Sequence, residues 1–314
     1  MLRRLWWVVL AALLVSVAYV AATGWLLSRA GAALLTVGTI SAAIQPEAPL
    51  EDPMELGYRG DPERALGLAF ETVSVATPLG PVEAWYVPGP RDDLAAIYVH
   101  GVAGAREDGY RHLALLAETG VPALLIGYRN DPGAPAAPGG RYAMGTTEWQ
   151  DLEAAVEEMA ARGHDRLLLV GESMGGAIVG QFLGRSPLAR HAVAVALDSP
   201  ALDFHLVLRH LAAARGLPAP GLVGWAALGW LDTLGPDPLR EARVIGTVAA
   251  FDGPLFLAHG AGDRIVPVAT SDRLLARREA STHHLRTGAD HLQSWHAGPA
   301  AYRAAFGGFL ATLE

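Results

Sequence analysis

The chain contains no cysteine. Disulfides, zinc–thiolate sites, iron–sulfur clusters and a cysteine nucleophile are therefore excluded, while the compartment stays open, since a cysteine-free chain suits either side of a membrane. Lysine is missing too: all 24 basic residues are arginine. With alanine and glycine abundant, this reads as codon usage rather than function. No basic cluster stands out and the formal net charge is −8, so nucleic acid is not an expected partner. Only 18% of residues are charged against 51% hydrophobic, the reverse of a disordered composition. The spacings of metal and nucleotide sites are also absent. There is no HExxH and no Asp-rich calcium loop, and the glycine-rich stretch Gly171-Glu172-Ser173-Met174-Gly175-Gly176 lacks the Lys of a phosphate loop. No metal and no cofactor is expected.

What is present first is apolar surplus. A mean hydropathy of +0.25 over 314 residues is too high for an ordinary cytosolic protein, and its source lies at the N-terminus. Leu5 to Leu27 carries no charge over 23 positions, roughly 35 Å as a helix against a bilayer core of about 30 Å. Trp6, Trp7 and Trp25 flank it at the depths indole rings prefer, with Arg3 and Arg4 before it and Arg29 after it. A cleaved signal peptide is the competing reading, with Ser41-Ala42-Ala43 as its cleavage site. The apolar run exceeds the about 7–15 residues of a signal core, and that site lies far beyond its end. Residues 1–45 are accordingly read as a membrane anchor with its helix at about 5–27. Residues 31–44 either extend the anchor or lie at the surface, and the Pro-, Glu- and Asp-rich residues 46–69 read as a stalk. The arginine balance favours a single-pass topology with the N-terminus inside and the remaining, acidic part of the chain extracytoplasmic.

From Phe70 the periodicity changes. Phe70–Thr77 alternates in the period-2 manner of a half-buried strand, and a Pro-Leu-Gly-Pro turn leads to a second strand at Val82–Val87. Short, wholly apolar runs follow at Ala96–Val99, Ala123–Gly127, Leu167–Val170 and Ala192–Leu197, separated by helical patterns such as Tyr110–Glu118 and Thr147–Ala161. Glu148 and Asp151 fall in the first turn of the latter, where they suit the helix dipole. Pro254–Ala258, His283–Arg286 and a closing helix at Ala300–Leu313 continue the alternation. Apolar strands alternating with helices predict a parallel sheet covered on both faces. Residues 201–250 interrupt this pattern with two helical stretches and no strand. Gly221–Leu231 in that insert has no charge. Fifty residues between two strands are too many for a loop, so 201–250 is read as a helical lid between two parts of one core, 70–200 and 251–314. Trp225 and Trp230 are its candidate pocket residues; packing of the lid onto the core, or contact with a bilayer, is the alternative role for this apolar helix.

Gly171-Glu172-Ser173-Met174-Gly175 fits G-x-S-x-G and lies between a strand and a helical stretch, the context in which the motif pushes a serine hydroxyl out above a sheet. A serine nucleophile needs a base, and the base an orienting carboxylate. His259-Gly260-Ala261-Gly262-Asp263 and Gly288-Ala289-Asp290-His291 each follow a predicted strand, which delivers Asp263 and His291 to the same sheet edge as Ser173. Asp198, at another strand end, is the rival acid and His296 the rival base. The turn His100-Gly101-Val102-Ala103-Gly104 supplies a backbone N–H, so the Val102 and Met174 amides form the expected oxyanion pair, Met174 with the added field of a helix start. His100 itself reads as a tie between loops. Arg129 is read either as an anion contact or as a structural ion pair with Asp131 or Glu148.

These pieces together resemble the α/β-hydrolase superfamily from about Phe70 to the C-terminus, closest to serine hydrolases such as monoacylglycerol lipases, the S33-type aminopeptidase group and the membrane-anchored BEM46-like proteins. The resemblance implies an eight-stranded, mostly parallel sheet and a Ser173–His291–Asp263 triad. The expected activity is hydrolysis of carboxylic esters of apolar acyl groups, with a small-molecule acyl ester as substrate and the lipid bilayer as partner of the N-terminal helix. A peptidase, amidase or thioesterase on the same fold is the alternative, the single nearby charge for a substrate amine being Glu172. A catalytically silent binding module is the alternative of another class.

Overall fold

Strand pairing follows the hydrophobic pattern closely. The computed structural model describes residues 1–39 and 49–313; the Ser41-Ala42-Ala43 site and residues 46–48 lie outside them. Eight strands, β1 (Glu71–Thr77), β2 (Gly80–Val87), β3 (Ala95–Val99), β4 (Ala123–Ile126), β5 (Leu167–Glu172), β6 (Ala192–Asp198), β7 (Leu255–Gly260) and β8 (Thr282–Thr287), form one sheet in the order β1-β2-β4-β3-β5-β6-β7-β8. The β1–β2 and β2–β4 pairings are antiparallel and all others parallel. The edge strand β1 alternates buried and exposed residues, whereas β3, β4, β5 and β7 are buried at every position. This is the difference between a sheet face shared with water and one covered on both sides.

Among the described residues, the helices of seven residues or more are α1 (Leu2–Leu35), α2 (Tyr110–Glu118), α3 (Trp149–Ala161), α4 (Met174–Arg185), α5 (Phe204–Ala214), α6 (Pro220–Leu234), α7 (Ala269–Leu275) and α8 (Pro299–Leu310). Two apolar clusters fill the faces of the sheet. One gathers β3, α3, α4 and the inner sides of α5 and α6 around Ile97, Leu169 and Ile178; the other gathers α2 and α8 around Tyr98, Phe256 and Phe306. This is the α/β-hydrolase architecture, with α5 and α6 inserted between β6 and β7.

Three local readings are revised. The apolar N-terminal stretch is one continuous helix of 34 residues rather than a helix ending near Leu27; Gly31 lies within it, on the side that faces Leu231 and Leu208. The expected stalk is docked, not free. Tyr58 is buried edge-on against Tyr110, the Gly57 N–H donates to Asp108, and Asp61 caps a short helix at Pro62–Leu66. Its polar composition hid these few anchoring side chains. Finally, the carboxylates at the start of α3 hold neighbouring loops, Glu148 a local turn and Asp151 a tertiary partner. Glu148 accepts the Ala143 and Gly145 N–H groups, and Asp151 takes a bidentate grip from Arg129. Arg129 is thus a structural ion pair, but with Asp151 in place of Asp131 or Glu148.

Candidate active site

β5 runs into α4 through Ser173, whose backbone sits at φ 50°, ψ −115°. A non-glycine residue in that region costs of order 1–3 kcal/mol and persists only where its surroundings fix it. The surroundings here are close-packed backbone: a Cβ on Gly171 would lie 2.8 Å from the Gly175 backbone, and one on Gly175 would run into the Val99 carbonyl. Glycines on both sides of the turn are therefore a steric requirement. The turn presents the Ser173 hydroxyl at the carboxyl edge of the sheet and leaves the Met174 amide as the first N–H of α4.

Three strand-end loops meet at that hydroxyl. Ser173 Oγ lies 2.9 Å from His291 Nε2, and His291 Nδ1 lies 2.7 Å from Asp263 Oδ2. The order Ser–His–Asp of these hydrogen bonds means that Nδ1–H donates to the carboxylate and Nε2 accepts from the serine. Ser173 and Asp263 are almost wholly buried, while the His291 side chain keeps 13% exposure. Burial alone would raise the Asp263 carboxyl. Hydrogen bonds from His259 and His291, the imidazole charge and the Ile265 amide outweigh it and hold the group well below the usual carboxylate range. Asp263 is thereby held as the carboxylate throughout the neutral range.

The environment of Asp263 also fixes its direction. Oδ1 accepts the Ile265 and Val266 N–H groups at 2.9 and 2.8 Å, which aims Oδ2 at His291. His259 Nε2 contacts both Asp263 Oδ2 and the Val266 carbonyl, and its Nδ1 meets Ser271 Oγ at 2.7 Å. This support was not foreseen from the sequence, although His259 stands in the same His-Gly-Ala-Gly-Asp stretch that supplies the acid.

Asp198 does not approach His291 with its carboxylate. Oδ1 accepts from Ser199 Oγ at 3.0 Å and Oδ2 from the Tyr302 hydroxyl at 3.0 Å, while its backbone carbonyl accepts the Ser173 N–H at 3.0 Å. Ser199 Oγ in turn accepts the Leu292 N–H at 3.2 Å. The residue thus ties the serine turn to the loop that carries His291. Behind it, Tyr302 meets His112 Nε2, and Glu172 accepts from Tyr98 and Arg111. Glu172 is 1% exposed, so its charge is spent inside the core. His112, Glu172 and Asp198 lie close enough together to share an ion, but the Arg111 guanidinium already neutralises the cluster at Glu172. His296 sits against Glu55 instead of Ser173.

The remaining candidates divide. Among the described residues, neither the Val102 nor the Met174 N–H is taken by an acceptor of the chain, leaving both available to a ligand. His100 joins loops, with Nε2 2.9 Å from Asp131 Oδ2 and its ring stacked on Tyr128. Trp225 and Trp230 are not brought into hydrogen-bond or ring contact with the triad residues. Trp225 is 45% exposed and stacks on His205 with Arg243 over it, and the Trp230 N–H donates to the Ala21 carbonyl of α1.

No protein-family model matches the chain, and no curated protein matches it. Its fold is shared with solved α/β-hydrolases. The chain is similar to the esterase Pf2001 of Pyrococcus furiosus, with 19% identity over 86% of this chain and 99% of that one at a TM-score of 0.63. An esterase from Thermogutta terrifontis is 15% identical over 77% of this chain and 99% of its own, at a TM-score of 0.55. A membrane phospholipase A described as a bacterial virulence factor is 19% identical over 100% of this chain and 99% of its own, also at 0.55.

Proposed function

We propose that the chain is a membrane-anchored serine hydrolase that cleaves carboxylic esters of apolar acyl groups. The observation that carries this reading is the unbroken run of hydrogen bonds from Ser173 Oγ through the His291 ring to Asp263 Oδ2. Ser173 Oγ attacks the ester carbonyl while His291 Nε2 takes its proton. The Val102 and Met174 amides receive the oxyanion, each donor contributing roughly 3–4 kcal/mol. His291 then gives the proton to the departing alkoxide, the C–O bond breaks, and an acyl-Ser173 ester remains. Water, deprotonated by the same imidazole, attacks that ester and releases the carboxylic acid with Ser173 restored. Asp263 holds the tautomer and balances the imidazolium charge.

Within the fold the motifs favour kinship with monoacylglycerol lipases, the S33-type aminopeptidases and BEM46-like proteins. An exopeptidase role finds no support in Glu172, whose carboxylate is occupied by Tyr98 and Arg111. The anchor reading rests on α1, whose most apolar stretch has a mean hydropathy of 2.3 and is wholly unburied. Residues 1–45 are taken as the anchor, with the N-terminus inside, and 201–250 as the cap over the core. A fluorophosphonate probe should label the parent protein and not Ser173→Ala, and Ser173→Ala and His291→Ala should each lose several orders of magnitude in ester hydrolysis with little change in thermal unfolding. Aminoacyl amides cleaved in preference to a C2–C12 ester series would overturn the ester assignment, and an unlabelled parent would leave only a binding module.

A further inference from the structure

The cap does not cover the core alone; it packs along α1. From Tyr19 onward one face of α1 is buried, through Gly24, Leu27, Ser28, Gly31 and Leu35, and α6 is its partner. A Cβ at Gly24 would lie 2.5 Å from the Ala226 Cβ, so the two helices touch backbone to backbone there. The Tyr19 hydroxyl donates to the Pro218 carbonyl at 3.2 Å, and Gly31 faces Leu231. Matching positions rise together along both helices, so α6 runs parallel to α1 with its first turn nearest the N-terminal, free part of α1.

The free part is short. Arg3 and Arg4 set the far limit of any span, and the stretch from Leu5 to Ala18 before the first cap contact rises only about 21 Å. The hydrocarbon core is about 30 Å thick, and tilting the helix shortens its reach further. The missing about 9 Å is six residues of α1, Tyr19 to Gly24, and these are the residues that carry the start of α6. The side chains α6 turns outward at this level are those a membrane boundary accepts. Leu222 is 61% exposed and Trp225 45%, beside Trp25 at 40% and Leu26 at 61% on α1. Arg29 lies over the Trp25 ring and Arg215 is exposed at the end of α5, a mixture of indole and arginine typical of the interface.

We infer that the cap is itself seated in the bilayer, with the α5–α6 turn and the outer face of the first turns of α6 entering the outer lipid boundary alongside α1. This rests on the reading of α1 as a membrane span, and the two can be separated experimentally. Because the chain has no cysteine, single cysteines can be introduced into the full-length protein and labelled with an environment-sensitive nitrobenzoxadiazole group. Leu222→Cys tests the cap, Leu13→Cys the free part of α1, and Glu279→Cys the amino edge of the sheet, opposite the cap. In phosphatidylcholine–phosphatidylglycerol vesicles, labels at 222 and 13 should brighten severalfold and shift to the blue, and nitroxide-labelled lipids should quench both while sparing 279, shallow nitroxides acting best on 222 and deep ones on 13. A quenched 13 with 222 behaving like 279 would overturn the seated cap and leave the anchor standing. If 13 also behaves like 279, the anchor reading falls and the seated cap with it.

Discussion

Replacing Asp263 by Asn separates the chemistry of the candidate triad from its architecture. The two sides of this carboxylate have different tasks. Oδ1 receives the Ile265 and Val266 N–H groups, and Oδ2 receives His291 and His259. Asn satisfies the first pair with its own carbonyl oxygen, so the loop keeps its shape. Its NH₂ group then faces His291 Nδ1, which must become an acceptor, and the ring's proton moves to Nε2, opposite Ser173 Oγ. In that tautomer the imidazole cannot accept the serine proton. His259 keeps the Val266 carbonyl as acceptor and Ser271 as its other partner, which limits the structural damage. Loss of the tautomer and of the counter-charge is worth roughly 10⁴-fold in kcat, or about 5.5 kcal/mol of transition-state stabilisation. The assay is steady-state hydrolysis of a p-nitrophenyl ester, with thermal unfolding of the same preparations as the control for folding. D263N should sit near that loss with an unfolding midpoint close to the parent's, and Asp198→Asn should remain far more active. A D263N rate within about tenfold of the parent, paired with an inactive but folded D198N, would show that the wrong carboxylate has been assigned to the base.

Three further outcomes are expected. Gly24→Val should force α1 and α6 apart where they touch, costing about 1–3 kcal/mol as overpacked contacts do, and a lowered unfolding midpoint in detergent with ester hydrolysis by the folded fraction retained would register it. Burial, and then the neighbouring Arg111 charge, push His112 down to about 3, so the folded chain leaves this imidazole neutral while the unfolded chain protonates it below about 6.5. Its contribution to stability is complete above that value and falls by about 2.5 kcal/mol between pH 6 and 4; Asp198, raised by burial and by Glu172, acts in the opposite sense, and a His112→Gln chain should show a shallower loss of unfolding midpoint over that interval, an equally steep loss refuting the assignment. The full-length chain should also stay in the membrane fraction through a carbonate wash with Leu5–Leu27 still attached, and protease added outside intact cells should reach the 51–314 region; a mature N-terminus near Ala43 would instead reveal cleavage.

The parts of the fold legible in the sequence are those where one physical cause dominates. β3, β5 and β7 are buried on both faces, so their apolar runs mark them without ambiguity. The alternation in Phe70–Thr77 likewise follows from one covered face. The Ser173 turn was legible because its strained backbone demands glycine at fixed offsets, and Asp263 and His291 because strand-end loops of a parallel sheet converge on one edge. Polar partners at long range were not. Asp151 carries the same local signature as a carboxylate that merely suits a helix dipole, and nothing near it in sequence announces Arg129; the Glu148 partners, the Ala143 and Gly145 amides, are local, but the residue types of that turn do not mark them. Asp198 had the right residue type at the right strand end; only the positions of Ser199, Tyr302 and Leu292 reveal that its lone pairs are used in tying loops together.

Gly221–Leu231 shows the same limit in apolar form. The absence of charge says that the segment needs an apolar environment but not which one, because core, acyl chain, neighbouring helix and lipid are equivalent to a hydropathy pattern. The arrangement divides the helix among several of these. Val223, Ala227, Leu228 and Leu231 recur at helical spacing and are buried, which gives one face to the protein body. Ala226 meets Gly24 and the Trp230 N–H reaches the Ala21 carbonyl, which gives a second face to α1. Leu222 and Trp225 remain outside both. A helix apolar all round is stable only if every side has an apolar neighbour, and the side left over here lies at the level where α1 still needs about 9 Å of hydrocarbon. The lack of charge over Gly221–Leu231 is thus accounted for by three different contacts.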